Sequence, residues 1–223
     1  MKEKILLSWS GGKDSAYSLF ELQRSGRYEI AALITTVTEK YDRISMHGVR
    51  RTLLEQQAAS LGIPLEIVWI TPQADNREYE SKMQALLEKY SQRGIQSVAF
   101  GDIFLEDLRQ YRETNLAKIG MRGIFPIWKR NTHDLAESFF AAGFHTVISC
   151  VDSKALDGTF VGREFDAAFL SDLPEGVDPC GENGEFHSFV YAGPNLQKRI
   201  AWRKGEITLR DERFYYCDLI PEE

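Results

Sequence analysis

The sequence predicts an α/β fold: a parallel sheet with helices on both faces, followed by a smaller C-terminal α+β region. Three observations carry this reading. Short apolar runs alternate with amphipathic helical stretches along the first half of the chain. A loop with two glycines, Ser10-Gly11-Gly12-Lys13-Asp14-Ser15, joins the first apolar run to the first helix. Beyond Cys150 the alternation gives way to runs that read mostly as strands.

Taken in order, Ile5-Leu6-Leu7 is a buried strand, and Ala16, Leu19 and Phe20 mark one face of the helix after it. Ile30–Ile34 is the second strand and runs into Thr35-Thr36. A helix from His47 to Leu61 places Leu54, Ala58 and Leu61 at helical spacing, and Gly62-Ile63-Pro64 stops it. Leu65–Ile70 is the third strand. Tyr79, Met83, Leu86, Leu87 and Tyr90 then form an i, i+4, i+7, i+8, i+11 stripe. Ser97–Phe100 is the fourth strand, with Gly101-Asp102 at its end. Leu105, Leu108, Leu116 and Ile119 mark the next helix. After Phe125-Pro126-Ile127-Trp128 comes a helix with Leu135 and Phe139, then a strand at His145–Ile148. Asp166–Leu170 is a short helix, and Glu185–Tyr191, Ile200–Ile207 and Leu209–Leu219 are strands. The expected division is 1–128 for a nucleotide-binding part and 129–223 for the remainder.

Repeated βα units joined by right-handed crossovers place ligands at the carboxyl ends of the parallel strands. That edge gathers Ser8 to Ser15, Thr35-Thr36, Thr71 and Gly101-Asp102. Within the loop, glycines let the backbone turn tightly and approach a ligand. The Ser10 and Ser15 hydroxyls and the first helical amides suit phosphate oxygens. Lys13 adds positive charge, and Asp14 is a hard oxygen donor for magnesium. A Walker A loop is excluded, because it needs glycine at Leu7 and Ser or Thr at Asp14.

Bulk properties narrow the class further. The 223 residues carry a net charge of −6, which argues against a general nucleic-acid or anionic-membrane surface, although a local basic patch for tRNA stays open. Cys150, Cys180 and Cys217 form no CxxC pair, so neither a disulfide framework nor a thiolate zinc site is indicated. No segment approaches the roughly 20 apolar residues of a membrane span, and a cytoplasmic protein with reduced thiols is expected.

A second cluster, Val177-Asp178-Pro179-Cys180-Gly181-Glu182-Asn183-Gly184-Glu185-Phe186-His187, packs three acids, an amide, a thiol and an imidazole into one short stretch. Alone it reads as a surface turn leading into a strand, and one Cys with one His makes a poor metal site. Together with the first loop it is more specific. Ser10–Ser15 resembles the SGGxDS loop of the ATP pyrophosphatase (PP-loop) superfamily, and the pairing with the second cluster resembles the diphthine–ammonia ligase family. Met46-His47, Gly101-Asp102-Ile103 and Pro126-Ile127-Trp128 match as well, so the resemblance extends from Ser10 to Pro194.

The resemblance implies use of ATP and Mg2+ to adenylate a carboxylate, release of pyrophosphate, and displacement of AMP by ammonia to leave an amide. In the namesake reaction the acid is diphthine, a modified histidine of translation elongation factor 2. Lys13 and Asp14 would then be catalytic, with Asp14 the first and Asp102 the second magnesium ligand. Ser8, Ser10, Gly11, Gly12, Ser15, Thr35, His47, Gly101 and Asp102 would line the nucleotide site. Glu182 or Glu185 would bind ammonium and take its proton, and Asn183 would hold the acyl oxygen. Arg109 and Glu113 read first as a surface i, i+4 ion pair, with a carboxylate contact as the alternative. Trp128 and Phe186 are expected in the core, and Arg163 is a candidate anion contact.

The expected partners are a carboxylate, either a small molecule or a modified protein side chain, and ammonia from free ammonium or a partner; a homodimer is an option. Phe104–Arg109 and Leu156–Asp166 depart from the diphthamide-pathway pattern. That leaves the ATP chemistry intact and sets diphthine itself in question; a bacterial branch would need another acid, such as a cobalamin precursor or another small carboxylate. The rival readings are a tRNA-modifying PP-loop enzyme, which lacks its usual cysteine pairs here, a reductase of adenylylated sulfate, for which Cys217 lacks a convincing setting, and a non-catalytic ATP-binding regulator.

Overall fold

The computed structural model describes residues 2–222. Leu6 and Leu7 point to opposite faces of the first strand, and both are fully buried. That single fact requires cover on both sides of the sheet. β1 (Glu3–Ser8), β2 (Tyr28–Thr38), β4 (Leu65–Ile70), β5 (Ser97–Ala99) and β6 (Arg122–Ile124) lie parallel in the order β4-β2-β1-β5-β6. A two-residue strand, β3 (Arg43–Ile44), pairs antiparallel with Val37 and Thr38 of β2. Leu6, Ile34, Val98 and Phe100 pack against Leu87 of α3 (Asn76–Ser91) and Leu116 of α4 (Glu106–Ala117). On the other face, Leu7 and Leu33 share a cluster with Leu19 of α1 (Lys13–Arg24) and Leu54 of α2 (Arg51–Leu61).

That second cluster does not stop at the first sheet. It runs on through α5 (Thr132–Ala141), α6 (Ala167–Asp172) and a four-stranded antiparallel sheet. The strands are β7 (His145–Asp152), β8 (Phe186–Ala192), β9 (Trp202–Arg210) and β10 (Phe214–Pro221), in the order β8-β7-β10-β9. Aromatic rings carry the junction. Tyr17 of α1 meets Phe139 and Phe144 at 6.2 and 6.1 Å between centroids, and Phe165 meets Phe139, Phe169 and Phe186 at 5.9, 5.5 and 5.9 Å.

Several boundaries differ from the expected ones. The helix expected from His47 starts at Arg51, because Met46 and Gly48 both adopt φ +68° and Arg43–Ile44 is spent on β3. Periodicity is blind to that left-handed break. β6 was not anticipated; Arg122-Gly123-Ile124 is too short to show alternation. The strand at His145 extends to Asp152 and joins the antiparallel sheet. Leu209 belongs to β9 rather than to the last strand, and the chain reverses at Asp211 and Glu212, with φ +50° and +51°. That signature of positive φ at both central residues marks a type I′ hairpin turn. In α4, Leu105 is the N-cap and Ile119 lies past the end.

Candidate nucleotide and acyl-transfer site

The Ser10–Ser15 loop sits where β1 ends and α1 begins, and Gly11 takes φ +75°, a conformation that strains any residue with a Cβ. Its backbone is held from two distant places. Gln57 of α2, fully buried, donates from Nε2 to the Gly11 carbonyl at 3.0 Å and the Val190 carbonyl at 2.6 Å, and accepts from Trp9 Nε1 at 3.0 Å. From β8, the Val190 amide donates to the Gly11 carbonyl at 2.9 Å, and Ser188 Oγ accepts from the Lys13 amide at 3.1 Å. Within the loop, Ser10 Oγ accepts from the Gly12 amide at 3.2 Å and lies 3.3 Å from Ser15 Oγ.

Lys13 is buried. Its Nζ reaches both Asp14 carboxylate oxygens at 2.7 and 2.8 Å and lies 5.8 and 5.6 Å from the Phe165 and Phe186 ring centroids. Burial pulls the Lys13 pKa down, but the contact with Asp14 more than offsets this and the ammonium stays charged. Asp102, also buried, accepts two hydrogen bonds from the Arg112 guanidinium, at 2.6 and 3.0 Å. The expected second magnesium ligand is therefore already neutralised by an arginine ten residues downstream.

The second cluster folds largely onto itself. Asp178 Oδ2 accepts from the Cys180 and Glu182 amides at 3.1 and 3.0 Å. Glu185 Oε1 accepts from the Asp178 amide at 3.0 Å and Asn183 Nδ2 at 2.9 Å. This scaffold delivers Glu182, whose Oε1 accepts from the Ile103 amide at 2.7 Å. Burial, with the nearby Asp14 charge, raises Glu182 to about 7 despite that hydrogen bond. His187 packs against His47 with centroids 4.3 Å apart and ring planes tilted by 36°. Burial lowers His47 to about 4 and His187 well below its ordinary value, helped by the Lys13 charge, so both imidazoles are neutral.

These pieces enclose a cavity of about 210 Å3. Ser8, Ser10, Gly12, Lys13, Asp14, Ser15, His47, Gly101, Asp102 and Glu182 line it. Four expected site residues stand outside the lining. The Gly11 carbonyl is turned to Gln57 and Val190. Thr35 is buried with its hydroxyl unpartnered among the described residues. Asn183 and Glu185 serve the scaffold. Arg163 pairs with Asp172 at 2.6 Å and stacks on Phe160 and Phe169. Arg109 pairs with Glu113 at 2.9 Å as the surface reading had it, while also lying 4.7 Å from the half-buried Trp128 ring centroid; Phe186 is core.

Ser188, Gln57 and Trp9 were not singled out from sequence. Gln57 had a legible signal, a lone polar residue at i+4 from Leu53 and i+3 from Leu54 on an apolar helix face. Ser188 had none, because its role exists only once β8 meets α1. As to magnesium, Asp14 and the two serine hydroxyls are hard oxygen donors on one cavity wall, and each Asp14 oxygen, though it accepts from Lys13 Nζ, keeps a second lone pair for the ion.

A glycine-bearing loop at the β1–α1 junction of a parallel sheet, with lysine and aspartate facing its cavity, defines a nucleotide-binding α/β protein of the PP-loop type. The chain matches the family models for the diphthamide synthase N-terminal domain over residues 1–123 and C-terminal domain over residues 131–219. It belongs to the diphthine–ammonia ligase family. Relatives named diphthine–ammonia ligase include the cattle protein, 23% identical over 89% of this chain and 82% of that one. The mouse protein is 25% identical over 90% of this chain and 83% of that one. The human protein is 23% identical over 90% and 83%. A solved structure, the predicted subunit of tRNA methyltransferase from Methanocaldococcus jannaschii DSM, is similar with a TM-score of 0.43 at 17% identity, over 64% of this chain and 77% of that one.

Proposed function

We propose that the chain is an ATP-dependent ligase that adenylates a carboxylate, releases pyrophosphate and passes the acyl group to ammonia. The observation that carries this reading is the meeting, in one cavity, of Lys13 and Asp14 from the first loop with Glu182 and His187 from a segment some 170 residues later. Phosphate oxygens would lie against the loop serines and the start of α1, where first-turn amides lack intrahelical acceptors and the helix dipole favours anions. An apolar cleft beside the cavity shares Ser8 and Arg112 with it and is walled by Ile34, Val98 and Phe100, which suits an adenine ring. Lys13 would neutralise charge growing on pyrophosphate. Magnesium, when bound at Asp14, would do the same for the oxygens that Lys13 does not reach.

Ammonia must attack as the neutral base. A carboxyl poised near neutral pH is suited to holding ammonium and accepting its proton, and Glu182 fits that requirement. On this reading residues 1–128 supply the adenylation half of the site and residues 129–223 the amidation half. The acid is a small carboxylate or a protein side chain such as the diphthine named in the relatives.

The test incubates the protein with labelled ATP, magnesium, ammonium and a panel of carboxylates. AMP and pyrophosphate should appear only with an accepted acid, and Lys13→Ala should reduce them on the order of 100-fold, the scale expected for losing a group that stabilises developing charge. ADP and phosphate as products would overturn the reading, and ATP binding without any turnover would favour a regulator.

A further inference from the structure

A second concavity, of about 470 Å3, opens on the far side of the His47 segment. Tyr41, Arg43, Met46 and Pro72 line it from the first sheet, and Arg210 and Tyr216 line it from the second. It therefore lies across the junction of the two halves, where ligand clefts concentrate. The wall between it and the nucleotide cavity is thin: Met46 and Gly48 face the groove, whereas His47 faces Lys13.

That wall is pinned in a costly shape. Met46 holds φ +68° while the residue is 65% exposed, an arrangement that packing of Met46 itself does not explain. Tyr216 donates from its hydroxyl to the Met46 carbonyl at 3.3 Å, and Ser149 donates to the His47 carbonyl at 3.2 Å. A Cβ at Gly48 would sit 2.5 Å from the Tyr216 ring, so the tyrosine presses directly against the turn. Non-glycine residues kept at positive φ concentrate where a ligand is gripped.

The lining has a definite chemistry. Arg43 is satisfied by Asp218 at 2.9 Å and the Gly48 carbonyl at 2.8 Å. The Arg210 guanidinium lies over two tyrosine rings, 5.9 Å from the Tyr41 centroid and 5.4 Å from the Tyr216 centroid, and Asp211 lines the same groove. A guanidinium left on ring faces is weakly hydrated and suited to a bidentate anion. Tyr41, half exposed, offers the rest of a flat surface.

We propose that this groove holds the body of the acid to be amidated, a small free organic acid with a planar portion for Tyr41 and Tyr216 and a second anionic group for Arg210. Its reacting carboxyl would pass the Met46–Gly48 wall towards Lys13. This rests on the ligase reading above, and the experiment keeps the two apart.

The probe is 8-anilinonaphthalene-1-sulfonate, which carries a planar naphthalene and an anionic sulfonate, titrated by fluorescence into the full chain, with ATP binding followed separately by calorimetry. Saturable one-site binding is expected, weakened about tenfold by Arg210→Gln, which corresponds to roughly 1.4 kcal/mol, and also weakened by Tyr41→Ala. Both side chains are on the surface, and ATP affinity should not move. Aromatic and unsaturated di- and tricarboxylic acids that displace the probe are then supplied with ATP, magnesium and ammonium. They should support AMP release, with Arg210→Gln raising the KM for the acid while that for ATP holds. Absence of saturable binding, indifference to both variants, no displacing acid, or turnover only with a protein-borne acid overturns the groove. Displacing acids that yield no AMP from bound ATP count against the ligase reading when the probe data hold.

Discussion

Glu182 hangs from the Ile103 amide by one oxygen and faces the cavity with the rest of its carboxyl. The folded chain holds its proton until about pH 7, whereas an ordinary glutamate releases it near 4.5. The folded state therefore loses stability relative to the unfolded one as pH rises from 4.5 to 7, the penalty stands in full above pH 7, and it vanishes as pH falls towards 4.5. Glu182→Gln keeps an acceptor for Ile103 and removes the charge. Melting curves should show the variant above the wild type at pH 8, with the two converging near pH 4.5. In turnover the same variant should lose amide formation while AMP release persists; equal loss of both would remove Glu182 from the ammonia step. Asp14 and Lys13 were readable from six contiguous residues because their chemistry is local. Asn183 and Glu185 show the opposite: residue type suggested catalysis, but Asn183 Nδ2 donates to Glu185 Oε1, which also accepts from the Asp178 amide.

At the level of elements, α1 begins without a side-chain cap of its own, and Ser188 of β8 receives the Lys13 amide instead. Ser188→Ala should then behave as loss of a cap, costing about 1 kcal/mol, or roughly 2–4 °C in melting temperature for a chain of this size. It should also raise the KM for ATP, and Ser188→Thr should restore that value; a KM that stays put with a lowered melting point would make the contact purely structural. Gly48→Ala meets both a positive φ and the Tyr216 ring, and a loss on the order of 1–3 kcal/mol is expected in denaturant titration. The apolar stripes of α1 and α3 were legible because each buries one face against the first sheet. The start of α2 was not, since nothing in hydrophobic spacing reports that Met46 and Gly48 turn left-handed. β6 escaped for a related reason, having three residues and no period to show.

Seen whole, one of the two core clusters runs without a break from the first sheet into the second, with Leu7 and Leu54 in the same cluster as Val147, Phe165 and Phe189. Full-length protein should accordingly melt in a single transition, and an excised fragment of residues 1–128 should fail to bind ATP, because Ser188 and Val190 leave with the rest. Two transitions, or ATP binding by the fragment, would show that the halves are independent. The order of strands and the seating of β8 beside the first loop depend on pairings between residues far apart in the chain, such as Gly11 with Val190, which no local pattern encodes. Among the described residues no helix is long and apolar enough to cross a membrane. The three cysteines, all free and all buried, have one more consequence. Burial pushes the Cys150 and Cys180 thiols up to about 12 and raises Cys217 as well, leaving almost no thiolate at neutral pH. Alkylating reagents can therefore reach them only when the chain opens, which makes the thiols clocks of motion. Cys180, tied to the loop that carries Glu182, times opening of that loop; Cys150, in the centre of β7, times disruption of the second sheet. If ATP closes the cavity, it should slow the first clock and leave the second running at its own rate.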